Sequence, residues 1–319
     1  MLRALDGGAV DKALPYGRLI DRLRDGFRED AAAPVRHHHA VPRPGQEPAV
    51  LLLMPAWREG DVTGVKLVHV ASGNEARGLP SVQGVYVLFD GPTGTPLAVM
   101  DGAALTARRT AAASALAASY LARPDSRVLV MVGAGAMAPH LVRAHAAIRP
   151  IAEVRLWNRS RLRAEAVVTE LATDGLKVAV AEDLEAAVRD ADIVSCATMS
   201  REPLVRGAWL RPGAHVDLVG AYTPEMRESD DEVMRTGQVF IDTFDGALAE
   251  AGDILLAMES GALTRERILA DLHGLCAGWH PGRTDGAAIT VFKSVGTALE
   301  DLIAARMVHE ATAATGAAG

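Results

Sequence analysis

The stretch best suited to chemistry is Gly133-Ala134-Gly135-Ala136-Met137-Ala138, which follows the apolar run "VLVMV" and opens a helical segment. A strand, a turn whose glycines let the backbone approach a ligand closely, and the free N–H groups at a helix start together make a site for a pyrophosphate. In a Rossmann fold the next strand ends on an acid that holds the ribose hydroxyls of NAD. Here that strand, "EVRLWN", runs into "RSRLRA", so Asn158, Arg159, Ser160, Arg161 and Arg163 stand in the region and no carboxylate does. A guanidinium binds phosphate through two charge-assisted hydrogen bonds and stacks on adenine, which suits the 2′-phosphate of NADP(H). NADPH is the expected cofactor, with NADH weaker. A bare glycine turn followed by a solvated basic helix start is the plainer alternative.

A second group consists of cations in apolar surroundings. Arg36 lies in "APVRHHHAVP", Lys66 in "GVKLVHV" and Arg109 in the Ala-rich "LTARRTAAASA". Lysine occurs only at positions 12, 66, 177 and 293, so one in an interior-looking strand needs a reason. A buried cation without a partner is costly, and several of them converging require an anion; a substrate carboxylate is the natural one. The triplet His37-His38-His39 is a poor metal site, because neighbours in a strand point to opposite faces and do not ligate one ion. Cys196 and Cys276 are far apart, lack a C-x-x-C pattern and read as core residues.

The elements that must position these residues follow from the pattern of the chain. With 319 residues and 49% hydrophobic content the chain is long enough for two domains. Its net charge of −7 argues against a nucleic-acid surface. No apolar run reaches the ~18 residues of a membrane span and the first residues lack a secretory core, so a cytoplasmic protein is expected. Segment 16–30 has Leu19, Ile20, Leu23 and Phe27 at helical spacing. Segments 49–57, 64–70 and 81–90 are β-rich, and "DGPTGTP" turns the last of them into a hairpin with "LAVMD". A long Ala-rich helix then runs to Pro124, where a linker falls. From Val128 strand and helix alternate, which implies a parallel sheet with helices on both faces. The tail "ATAATGAAG", residues 311–319, is expected to be disordered.

The run "MPAW…GVKLVHV…GNEARGLPSVQGVYVLFDGPTGTPLAVMDGAALTARRTAAASALAASYLAR", with "VGAGAMAPH", "HVDLVGAYTPEMRESD", "ALAEAGD" and "TVFKSVGTALEDL", resembles the ornithine cyclodeaminase and mu-crystallin family. The resemblance implies an α/β protein in which a Rossmann-type doubly wound parallel sheet, residues 124–290, is inserted into an α+β substrate-binding and dimerisation domain formed by residues 1–123 and 291–319. It also implies a homodimer. Arg36, Met54, Lys66 and Arg109 match family positions that line or hold the substrate. Thr110, Gly133, Gly135, Ala136, Met137, Asn158, Arg159, Ser160, Arg163, Thr198, Val219, Ser294 and Val295 fall at or beside nucleotide-contacting positions.

Two departures from the family pattern bear on activity. Cyclodeaminases carry an acid two positions before the Met of the "MP" strand and another just after the Val-Gly of the fifth sheet strand; this chain has Leu52 and Tyr222 there. Losing both removes the partner for a side-chain ammonium and the base for cyclisation. The chain therefore resembles reductases of cyclic ketimine carboxylates, Δ1-pyrroline-2-carboxylate and Δ1-piperideine-2-carboxylate, which yield L-proline and L-pipecolate. In that reading Arg36 and Arg109 fix the carboxylate, while Lys66, its pKa lowered by desolvation and neighbouring arginines, gives a proton to the imine nitrogen or acts by its charge alone. Tyr222 is a second candidate donor, with packing as its alternative, and Lys293 either faces the cofactor or lies on a helix surface. Other readings on the scaffold are a cyclodeaminase with Asp217 or Glu225 as substitute base, an amino-acid dehydrogenase such as alanine dehydrogenase, and a non-catalytic NADPH-binding protein.

Overall fold

Antiparallel pairing dominates the first part of the chain. The computed structural model describes residues 2–316, and the described chain divides into two units, one running to Thr110 and resuming at Thr297, the other Ala111–Gly296. The first unit contains β1 (Arg3–Leu5), α1 (Gly7–Ala13), α2 (Tyr16–Gly26), β2 (His37–Val41), β3 (Ala49–Trp57), β4 (Val62–Val70), β5 (Val82–Asp90), β6 (Pro96–Asp101) and the start of α3 (Gly102–Leu121). Its six-stranded sheet has the order β1-β6-β5-β4-β3-β2, parallel only between β1 and β6. The C-terminal helix, Ala298–Gly316, packs on β3, β4, β5 and β6.

Register decides what lies beneath that helix. Met54 pairs with Lys66, Lys66 with Tyr86, and Tyr86 with Met100, and directly opposed residues share a face. All four side chains in this row are buried. Leu52, two residues from Met54, lies on the same face one row along, opposite Val68. The helix α2 buries Leu19, Ile20 and Leu23, as its spacing implies, and packs on the C-terminal helix, where Gly26 leaves the space that Ile303 fills.

The second unit follows the expected alternation: β7 (Val128–Val132), α4 (Met137–Ile148), β8 (Glu153–Trp157), α5 (Arg161–Ala172), β9 (Val178–Val180), α6 (Leu184–Arg189), β10 (Ile193–Cys196), β11 (His215–Leu218), α7 (Asp231–Thr236), β12 (Gln238–Ile241), α8 (Phe244–Glu250), α9 (Gly252–Glu259), β13 (Ile268–Asp271), α10 (Leu272–Cys276) and β14 (Thr290–Lys293). All eight strands are parallel, in the order β13-β12-β14-β11-β10-β7-β8-β9. From β7 the chain builds outward through β8 and β9, then returns to β10 on the other side. That reversal makes a topological switch point at the carboxyl ends of β7 and β10.

The structure corrects the expectation for the C-terminal end. Residues 311–316 continue the C-terminal helix and are not disordered, because the preceding turns bury Ala304, Ala305, Met307 and Val308 and carry the helix onward; residues 317–319 lie outside the described residues. Cys196 and Cys276 are buried free thiols. Among the described residues no helix is long and apolar enough to cross a membrane.

Candidate active site

The first unit brings its three cations together, and it does so around protein acids. Lys66 projects from β4 and is 2% exposed; Arg109, on the third turn of α3, is 3% exposed. Asp301, fully buried on the C-terminal helix, receives Lys66 Nζ on Oδ2 at 2.7 Å and Arg109 Nε on Oδ1 at 2.8 Å. Its neighbour Glu300 accepts Arg109 Nη1 at 2.6 Å, and neither bond uses Nη2. The adjacent Arg108 turns about 100° away around the helix to Asp11, at 2.7 Å. Arg36 precedes β2 by one residue and lies close enough to Lys66 for its charge to act on the ammonium.

The electrostatics follow from burial. Desolvation is the largest influence on the Lys66 ammonium and, with repulsion from Arg109 and Arg36, exceeds the attraction of Asp301, so its pKa falls from 10.5 to about 7. For Arg109, burial would favour the neutral form, but Asp301 and Glu300 outweigh it and hold the guanidinium charged. With every group ionised, Arg36, Lys66 and Arg109 contribute three positive charges against the two negative ones of Glu300 and Asp301. Tyr86 is fully buried with no hydrogen-bond partner for its hydroxyl among the described residues, and burial, reinforced by Asp301, pushes its pKa up and keeps it protonated.

In the second unit the glycine turn joins β7 to α4. Gly133 has φ +110°, and a Cβ there would stand 2.6 Å from Ala197 O, so chain geometry alone demands glycine. Gly135 differs, since a Cβ there would meet no atom of the chain. Ala136, the N-cap of α4, makes no side-chain capping bond, so the helix start presents N–H groups that a ligand can meet. An open approach at Gly135 over an uncapped helix start fits a dinucleotide pyrophosphate. Beyond β8, Asn158 donates through Nδ2 to Ser160 O and Ser160 caps α5. Arg161 is paired with Glu165 and Glu182, whereas Arg159 and Arg163 form no ion pair with any described residue. Thr198, Val219, Ser294 and Val295 stand just past the ends of β10, β11 and β14.

Thr110 follows Arg109 on α3, and Tyr222, 39% exposed, follows the end of β11, with burial of its ring pushing the phenol pKa up. His37, His38 and His39 lie on the exposed edge strand β2. Asp217 is fully buried inside the sheet, where it accepts hydrogen bonds from Ser195 Oγ at 2.7 Å and meets His145 Nε2 at 3.2 Å; Glu225 is exposed. Lys293 does not lie on a helix surface. It is fully buried in β14, with Nζ donating to Leu218 O at 3.1 Å.

Sequence reasoning missed the acids. It sought an external anion for Lys66 and Arg109 and overlooked Glu300 and Asp301, 191 and 192 residues downstream of Arg109. The available signal was "TALEDLIAA", an acidic pair set in an otherwise apolar helix. The buried acids Glu228, Asp242 and Asp253 of the second unit were missed in the same way.

Comparison with known proteins extends these observations. The sequence matches the ornithine cyclodeaminase/mu-crystallin family over residues 9–316. It is 42% identical over 305 residues to a Δ1-pyrroline-2-carboxylate reductase of Paracoccus denitrificans, covering 92% of this chain and 95% of that one. The structure resembles that of Thermococcus litoralis Δ1-pyrroline-2-carboxylate reductase in complex with NADH and L-proline, with a TM-score of 0.93, 33% identity and 98% of each chain covered. It also resembles an archaeal alanine dehydrogenase dimer with bound NAD, with a TM-score of 0.91, 29% identity, and 99% and 97% of the two chains covered. A match that spans both units, from α1 to the helix carrying Glu300 and Asp301, means that this chain belongs to the ornithine cyclodeaminase/mu-crystallin family.

Proposed function

We propose that the protein reduces a cyclic ketimine carboxylate, Δ1-pyrroline-2-carboxylate or its six-membered homologue Δ1-piperideine-2-carboxylate, to L-proline or L-pipecolate, with NADPH as the preferred reductant. The observation that carries this reading is the apolar Leu52 one row from the Lys66–Met54 pair, where a diamino acid's second ammonium would need a carboxylate. An ammonium desolvated there without a partner would cost several kcal/mol. A cyclic imine has no such group, and its carboxylate suits a site lined by the cations Arg36, Lys66 and Arg109. The sequence relationship to a Δ1-pyrroline-2-carboxylate reductase supports the same choice.

Arg36 and the free Nη2 edge of Arg109 hold the substrate carboxylate, with Met54 as an apolar wall. Lys66 holds the proton that the imine nitrogen takes up, and Asp301 steadies the ammonium before transfer. Bound NADPH supplies the hydride that converts the C=N carbon to CH, so hydride and proton together turn C=N into CH–NH. Gly133, Gly135, Ala136 and Met137 would hold the pyrophosphate, and Arg159 and Arg163, which form no ion pair with any described residue, would meet the 2′-phosphate. Tyr222 is the alternative donor, its raised pKa keeping the proton on the phenol.

The working protein is a homodimer. The outer face of the six-stranded sheet supports this, because Val65, Leu67, Val85 and Val87 lie there partly exposed. A monomer of about 34 kDa by light scattering would refute it. A cytoplasmic location is in keeping with two free, buried thiols.

Two assays run side by side test the activity. Δ1-Pyrroline-2-carboxylate with NADPH should consume the cofactor and form L-proline, while L-ornithine with NAD should release no ammonia. Ammonia release at a rate comparable to imine reduction would overturn the assignment.

A further inference from the structure

We propose that Glu228 is a positioning residue for dinucleotide binding: its one carboxylate ties together the chain segments that leave β10 and β11, setting Thr198 on one and Gly220 to Tyr222 on the other. This deepens the reading above and rests on it.

The geometry is specific. Glu228 is fully buried and lies on the segment between β11 and α7. Its Oε1 accepts Thr198 N at 2.7 Å and Thr198 Oγ1 at 2.9 Å, and its Oε2 accepts Gly220 N at 2.7 Å. Three donors from two segments therefore converge on one side chain, and both oxygens are needed. The two segments also touch directly, since a side chain at Gly220 would collide with the backbone of Thr198. Thr198 in turn closes on the glycine turn, where a Cβ at Gly133 would stand 3.1 Å from Thr198 Cγ2. Movement at Glu228 thus reaches the pyrophosphate turn through Thr198 and Tyr222 through Gly220.

The backbone that carries this carboxylate is anchored as well. Asp253, on α9, accepts Glu228 N at 2.9 Å and Ser229 N at 3.0 Å on Oδ1, and the Glu228 carbonyl accepts Leu204 N and Val205 N at 2.9 and 3.0 Å. The charged and titratable groups that face it are Lys293 from β14, Asp253 from α9 and Cys196 from β10, whose thiol burial keeps protonated. Burial is the dominant influence on Glu228; Asp253 adds to it, while Lys293 and the donated hydrogen bonds oppose it, so its pKa rises to about 7. A proton on either oxygen removes an acceptor and places a donor against a donor. The brace is complete when Glu228 is ionised and loosens as pH falls through about 7.

Nucleotide affinity, measured by fluorescence titration or calorimetry without imine substrate, tests this separately from catalysis. NADH is titrated beside NADPH because it lacks the 2′-phosphate, which titrates in the same range. For the unaltered protein, affinity for both nucleotides should fall about tenfold between pH 8 and pH 6. Glu228→Gln, which keeps size but supplies one oxygen, should bind both about tenfold or more weakly at pH 8 and lose most of the pH dependence seen with NADH. Binding by Glu228→Gln within twofold of the unaltered protein at pH 8, or NADH affinity of the unaltered protein that is flat from pH 6 to 8, refutes the inference. The second measurement needs no variant and decides the matter even where Glu228→Gln does not fold. Failure of the unaltered protein to bind either nucleotide at any pH would instead defeat the proposed function.

Discussion

Asp301→Asn removes the charge that keeps Lys66 protonated while retaining shape and one acceptor. The Lys66 Nζ–Asp301 Oδ2 separation is 2.7 Å, and both side chains are buried. Two unit charges at about 4 Å attract by roughly 4 kcal/mol at the effective dielectric of about 20 that suits protein sites. That corresponds to roughly three pH units at 1.36 kcal/mol per unit, and relaxation of the site leaves about one to three. The sign is fixed: a carboxylate favours the ammonium, so its loss lowers a Lys66 pKa that already stands near 7. For imine reduction, kcat/KM reports ionisation in the free enzyme, and it should decline above about pH 7 as Lys66 loses its proton. In Asp301→Asn the decline should begin at least one unit lower, with a loss of about eightfold or more at pH 7.5. The imine's own titration is common to both enzymes and cancels in the comparison. Asp301 also binds Arg109 Nε, so thermal unfolding is followed in parallel and KM for the imine read separately from kcat. An alkaline limb at the same pH in both proteins, with rates within threefold, would mean that Lys66 is not the proton source and that Asp301 serves only the fold.

Legibility in the sequence followed the range of the interactions involved. The strands 49–57 and 82–90 and the helix from Tyr16 were readable because period-two and period-3.6 patterns are local consequences of burial on one face. The glycine turn was readable because Gly133 answers a local backbone requirement, φ +110°. The cations were noticed because desolvation makes an interior Lys or Arg conspicuous, but their partners were not. Asp301 meets Arg109 across 192 residues, and nothing in the spacing of either segment encodes that pairing. The burial of Lys293 was not legible for the same reason: a charge in a central strand is tolerable because the Leu218 carbonyl and Asp253, 3.9 Å away, come from other elements. Residues 311–316 were misread in the opposite direction. Their Ala-rich composition is weak evidence of disorder when Ala is also the best helix former and the helix before them is anchored on a sheet.

Three further outcomes are expected. Arg159→Ala should weaken NADPH about ten- to a hundredfold, the worth of one or two charged hydrogen bonds, and leave NADH nearly unchanged; equal weakening of both would dissociate Arg159 from the 2′-phosphate. Gly135→Val should unfold within a few degrees of the unaltered protein, because a Cβ there meets nothing in the chain, yet lose dinucleotide binding; normal binding in a folded variant would remove the turn from the cofactor site. The last outcome concerns stability. Lys66 has a folded pKa of about 7 against 10.5 when unfolded, so between these values the unfolded chain carries the extra proton and stability rises with pH. One group contributes at most about 1.36 kcal/mol per pH unit, roughly 5 kcal/mol over the window, and the benefit is lost as pH falls through 7. Lys66→Met removes this contribution, so denaturant unfolding between pH 7.5 and 9.5 should give a slope of stability on pH lower by about 1 kcal/mol per unit than in the unaltered protein. Parallel slopes for the two proteins would show that Lys66 keeps its proton throughout this range, and a lysine that never gives up its proton there has no place in the proposed transfer step.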